Sequence, residues 1–187
     1  MKITALFFGV FAGCLSCIPA HAADYLWNGG NGSWTDSGAW RLDDSSADWS
    51  NGNTAQFQTD SSITVGSGIS ASGMLYNGAA ITLNGGSLTL TGAAAGNNGG
   101  SATLSNTGLI LDAPNAEDSY EVRDTSLTGS ATLAKTGAGT VTLDGAHTAS
   151  GVWNINAGTL VFTGERNITA SDNNRINGKI NIASGAV

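Results

Sequence analysis

Gly139-Thr-Val-Thr-Leu-Asp-Gly145 and Gly158-Thr-Leu-Val-Phe-Thr-Gly164 carry almost the same pattern, and their starts lie 19 residues apart. Each is a short alternation of apolar and polar residues closed by glycine. A period of two suits a strand with one face buried. Further copies are Gly86-Ser-Leu-Thr-Leu-Thr-Gly92, Thr107-Gly-Leu-Ile-Leu-Asp-Ala113 and the weaker Gly178-Lys-Ile-Asn-Ile-Ala-Ser184. Their starts are spaced 21, 32, 19 and 20 residues apart. Recurrence near 20 residues constrains the fold more than any other feature, because it marks a solenoid of short stacked strands.

The pattern predicts an all-β, right-handed parallel β-helix. Each strand pairs with its counterpart one coil away, about 4.8 Å above or below. Aligned by their flanks, Leu88, Leu109, Val141 and Leu160 form one inward column, and Leu90, Leu111, Leu143 and Phe162 another. Outward threonines suit the strands by their β-branching. Glycines turn the corners, where positive φ is needed. The 32-residue spacing implies an extra strand or a bulging loop around Ala113 to Asp124. Almost no helix is expected: Ala93-Ala94-Ala95 is bracketed by Gly92 and Gly96, and Asn97 to Gly100 reads as a loop. Asn167, Asn173, Asn174, Asn177 and Asn181 read as turn residues with a stacked asparagine ladder.

The first residues read differently. Lys2 precedes an apolar run from Ile3 to Ile18, then Pro19 and Ala20-His21-Ala22. This is the layout of a Sec-type signal peptide, residues 1–22, cleaved after Ala22. Cys14 and Cys17 both fall inside it, so the mature chain has no thiol chemistry and no disulfide. Seven basic against 14 acidic residues give a net charge of −7, which disfavours nucleic acid and anionic membrane as partners. No later apolar run is long enough to span a bilayer as a helix. Residues 23–62 concentrate Trp27, Trp34, Trp40 and Trp49, with Tyr25 and Phe57. A solenoid has an open strand edge and an open core end, and an aromatic-rich segment can cover them. The expected division is therefore a capping segment at 23–62 and the β-helix at 63–187.

Candidate chemistry is sparse. His147 is the one histidine of the mature chain and reads as a solvated turn residue. Asp112 and Asp144 hold the same slot of the repeated phrase. On adjacent rungs they could share a cation, but each also suits the start of a turn. No catalytic, cofactor or metal residues are assigned, and the chain is read as a non-enzyme. Low-ranked ligand-stacking residues are Trp27, Trp34, Trp40 and Trp49, which as a platform would make a carbohydrate-binding module.

The stretch from Leu133 to Gly164 resembles the autotransporter-associated β-strand repeat, worded near L-x-K-x-G-x-G-T-L-x-L-x-G. Leu133, Lys135, Gly137, Gly139, Thr140 and Leu143 fall where that pattern puts them. His147, Ala149 and Val152-Trp153 depart from it, at positions read as surface or corner. The resemblance implies passenger-type material: an exported, adhesin-like protein, secreted or held at the cell surface or outer membrane, serving as a rigid spacer or adhesive surface. Its implied partners are surface glycans or host and cell-surface proteins. Self-association through an open end at Ile180–Ile182 is also expected. The alternatives are the carbohydrate-binding module and, ranked lower, a polysaccharide lyase-like β-helix enzyme.

Overall fold

The structure is a computed structural model that describes residues 22–163 and 180–187. Residues 1–21 of the expected signal, and four of the five asparagines named above, lie outside the described residues. Every regular element described is a strand. The first five are β1 (Asp24–Trp27), β2 (Gly32–Ser33), β3 (Trp40–Leu42), β4 (Ser45–Ala47) and β5 (Asn53–Phe57). Next come β6 (Ser61–Thr64), β7 (Ile69–Asn77), β8 (Ala80–Asn84), β9 (Ser87–Leu90) and β10 (Ala94–Asn97). Then follow β11 (Ser101–Ser105), β12 (Gly108–Asp112), β13 (Ser119–Val122), β14 (Thr125–Thr128) and β15 (Thr132–Thr136). The last are β16 (Thr140–Asp144), β17 (Trp153–Ile155), β18 (Thr159–Thr163) and β19 (Ile180–Ile182).

These strands form a parallel β-solenoid of about 5 turns with three sides. Side one is the five-stranded sheet β2-β6-β8-β11-β14. Side two stacks the N-terminal part of β7 with β9, β12, β15, β17 and β19. Side three stacks β1, β5, the C-terminal part of β7, then β10, β13, β16 and β18. Strand β7 bends at Gly73 and serves both: Ile69–Ala71 pair with β9, while Met74–Asn77 pair with β10. Parallel pairing already starts with β1–β5 and β2–β6, so the ladders run continuously through the aromatic-rich segment.

Inward positions make the core, as period-two alternation requires. The columns differ from the flank alignment, however. Leu88 and Leu109 continue to Leu133 and Trp153, not to Val141 and Leu160. Val141 and Leu160 stack on Tyr120, on side three. The repeated phrase occurs on two sides of the same coil, so the 32-residue step is one coil plus one side. The expected extra strand and loop are both present: β13 follows a corner that turns through Pro114–Asp118. Asn97, expected to open the loop that runs to Gly100, instead ends strand β10, and the loop begins at Asn98.

Asparagine ladders run along the outside. Asn181 Nδ2 donates to Asn154 Oδ1 at 2.8 Å, and Asn97 Nδ2 to Asn77 Oδ1 at 3.2 Å. Corner glycines follow two rules. Gly137 has φ 71° and also presses against Ala113, where an added Cβ would sit 2.1 Å from the carbonyl oxygen. Gly100 lacks positive φ, yet a Cβ there would lie 1.7 Å from the Tyr76 carbonyl oxygen. Close approach of coils, as well as backbone conformation, selects glycine.

Candidate functional site

The four tryptophans singled out in the sequence meet at the N-terminal end. Strand β3 pairs antiparallel with both β1 and β4, folding a hairpin over the first coil. Trp34 and Trp40 are 0% exposed and Trp27 5%; Trp49 is half-buried. Their rings meet edge-on or tilted: Trp27–Trp40 at 5.1 Å and 76°, Trp34–Trp49 at 5.2 Å and 84°, Trp40–Trp49 at 4.7 Å and 44°. Phe57 lies 5.7 Å from Trp40 and links this cluster to Tyr76 deeper in the core. Trp40 Nε1 donates to the Trp34 carbonyl at 2.8 Å, which satisfies one indole within the cluster. A sugar platform needs flat ring faces open to water. Here three indoles spend their faces on one another, the arrangement of an end plug.

Asp112 and Asp144 occupy different sides. Asp112 is in register with Thr136 on side two, and Asp144 with Thr163 on side three. They hold no common slot, so the shared-cation geometry is overturned. Asp112 Oδ1 instead accepts from Thr136 Oγ1 at 2.8 Å. Among the described residues, no three His, Cys, Asp or Glu side chains stand together as metal ligands.

His147 is also corrected. It is 7% exposed and bridges to Leu127. Its ring packs 5.6 Å from Trp153, which in turn stacks on Phe162 at 5.7 Å and 24°. Ala149 and Trp153, read as surface or corner positions, are fully buried. These departures from the repeat wording fill the core near its C-terminal end.

One charged residue was missed as a core group. Lys135 is 0% exposed and sits inward between Leu111 and Ile155. Period two after the inward Leu133 was the available signal. Its Nζ donates to the carbonyls of Thr136, Gly137 (2.9 Å) and Ala157 (3.4 Å). Burial pushes its pKa below the ordinary lysine value, and the nearby Asp112 carboxylate pulls the other way. The ammonium thus ties a corner of its own coil to the next one. A lysine so enclosed has no route to a substrate and acts as an internal clamp.

Residues 133–162, which run from the start of the Leu133 column to Phe162, match the family model of the passenger-associated-transport-repeat. This segment resembles a passenger-associated-transport repeat. The repeat covers β15 to β18, one full coil and the start of the next, with Leu133 and Trp153 in register across it. Lys135 is its buried clamp, and its Thr142 faces outward between the inward Val141 and Leu143. Neither a curated protein nor a solved structure is matched by the chain. The repeat and the solenoid fold together fit a passenger-like β-helix.

Proposed function

We propose that the protein is an exported structural element of a cell surface, acting as a rigid spacer and adhesive scaffold rather than as an enzyme. The observation that carries this reading is the three-sided parallel ladder over a single packed core, plugged at one end by tryptophans. Such a rod needs no cofactor to fold, and its stiffness comes from stacked ladders that yield only cooperatively. The passenger-type repeat supports export, because such repeats belong to autotransporter passengers. The buried lysine and histidine serve packing, and Asp112 and Asp144 stand on different sides, which favours a mechanical over a catalytic role.

The test is localisation in the producing cell. An epitope placed in the exposed corner at Pro114–Asp118 should be removed by protease added to intact cells, and fractionation should place the protein at the surface or in the medium. Retention in the cytoplasm, protected from protease, would overturn the reading.

A further inference from the structure

Side one differs from the other two in its outward side chains. Its strands β6, β8, β11 and β14 contain no charged residue. Their outward positions form two continuous rows along the solenoid axis, beside a shorter third row of Ala80 and Ser101. Ser62, Thr82, Thr103 and Ser126 align in register as the first row. Thr64, Asn84, Ser105 and Thr128 align as the second. All eight are exposed or half-buried hydroxyl or amide groups. Side three, by contrast, presents Glu121, Asp144 and the apolar Val161, and side two presents Ile110.

The second row is partly engaged within the chain: Asn106 Nδ2 donates to Asn84 Oδ1 and to Ser105 Oγ, both at 3.4 Å. Among the described residues the first row carries no such tie, so its hydroxyls are available to an outside partner. The register is unbroken, with no bulge on any of the three pairings. The rows are therefore fixed in advance and need no ordering on binding.

A partner for this face must be neutral, since its strands offer no counter-charge and the exposed Asp60 and Asp124 at its margin would repel an anion. It must be polar, since the one outward apolar side chain on these strands is the small Ala80 and no aromatic is offered. It must also repeat at the strand spacing, about 4.8 Å, which is close to the length of one pyranose unit in an extended β-linked chain. We propose that side one is a docking face for an extended neutral β-linked glycan, lying along the rows with about one sugar per coil. This rests on the surface role proposed above and names its partner. Each hydroxyl contact replaces one to water and gains little. Recognition therefore depends on several rungs acting at once along a single chain.

The experiment is co-sedimentation of the full chain with insoluble cellulose, using insoluble α-linked starch as comparison, at low salt and in 1 M NaCl (about a 3 Å screening length). Binding to cellulose that survives high salt is expected, with little to starch. The double variant Thr82→Val, Thr103→Val keeps the branched shape at exposed strand positions and should bind about tenfold more weakly. Thr89→Val on side two should bind as wild type, and unchanged melting curves would show all three chains folded. No binding to cellulose, binding abolished by salt, or loss equal in Thr89→Val would overturn the proposal. So would ice binding or face-to-face dimerisation without glycan, if lost in the double variant. Surface localisation would survive each of those failures, whereas a cytoplasmic protein would overturn the function itself whatever the cellulose result.

Discussion

Lys135 Nζ lies 3.4 Å from the carbonyl oxygen of Ala157, a residue of the following coil. It holds that position in a column otherwise filled by Leu111 and Ile155. Lys135→Met keeps the length and apolar stem but removes the donor from three carbonyls. The expected loss is about 1–3 kcal/mol, the cost of leaving buried acceptors without a partner. Urea unfolding of the two proteins measures it, and an unchanged midpoint would show that the clamp carries nothing. Lys135→Glu should lose more, since it buries the wrong charge against the same carbonyls.

At the other end, Trp40→Phe tests the plug's single indole bond to Trp34. It retains a ring but orphans the Trp34 carbonyl and leaves a small void, costing about 1–3 kcal/mol. Trp40→Ala opens a larger cavity and should cost about 3–5 kcal/mol. Denaturant midpoints should rank wild type above Phe and Phe above Ala.

The same burial predicts a quiet spectroscopic result. Three of the four N-terminal indoles are enclosed. Their fluorescence should be blue-shifted, poorly quenched by iodide and unchanged by soluble β-glucan oligosaccharides, even where the glucan binds side one. A glucan-dependent shift lost in Trp49→Ala would instead support a stacking platform at the half-buried ring.

Alkaline pH should unfold the protein through two phenols. Tyr76 is buried, and its hydroxyl donates to Thr125 Oγ1 at 3.2 Å, because the Thr125 hydrogen is given to the Arg123 carbonyl. Tyr120 donates to the Leu90 carbonyl at 2.8 Å. Burial raises both pKa values well above the ordinary phenol. For Tyr76 the Thr125 bond offsets part of that rise, and for Tyr120 the charge of Asp112 adds to it. A folded pKa above the unfolded one contributes stability that is complete below about pH 10 and is lost as pH climbs past it. Chemical denaturation across pH 8–12 should show a steeper fall in wild type than in Tyr76→Phe, Tyr120→Phe. Parallel curves would contradict the assignment.

Neighbouring glycines should respond differently. Gly100→Ala drives a Cβ to 1.7 Å from the Tyr76 carbonyl and forces two coils apart, a loss of about 3 kcal/mol or more. At Gly99, φ is +82° but nothing lies within 4 Å, so Gly99→Ala should cost about 1–2 kcal/mol. Thermal melts of the two variants compare them directly.

The strands, their burial alternation and the solenoid were legible because period-two patterning and glycine punctuation are local. The side to which each strand belongs was not. Gly86–Gly92 and Gly139–Gly145 read alike, yet they build different sides of the coil, because all three sides obey the same rule of inward aliphatics and corner glycines. Asp112 and Asp144 were misplaced together by that ambiguity. Lys135 was overlooked because charge usually marks a solvated position, and its partners are carbonyls contributed by corners that the sequence does not label. His147 and Trp153 were misjudged for a related reason. Which corner residues turn inward depends on the coil above, a contact between residues distant in sequence.

The corner at Pro114–Asp118 closes on itself: Asp118 Oδ2 accepts from the Asn115 backbone N–H at 2.8 Å and from its side chain at 3.1 Å. On either side of it, the β12–β15 and β13–β16 registers run undisturbed. Chain length and strand register are thus uncoupled at the vertices. Descendants of such a sequence can gain or lose residues there, and so change what they show to the outside, while inheriting the same interior.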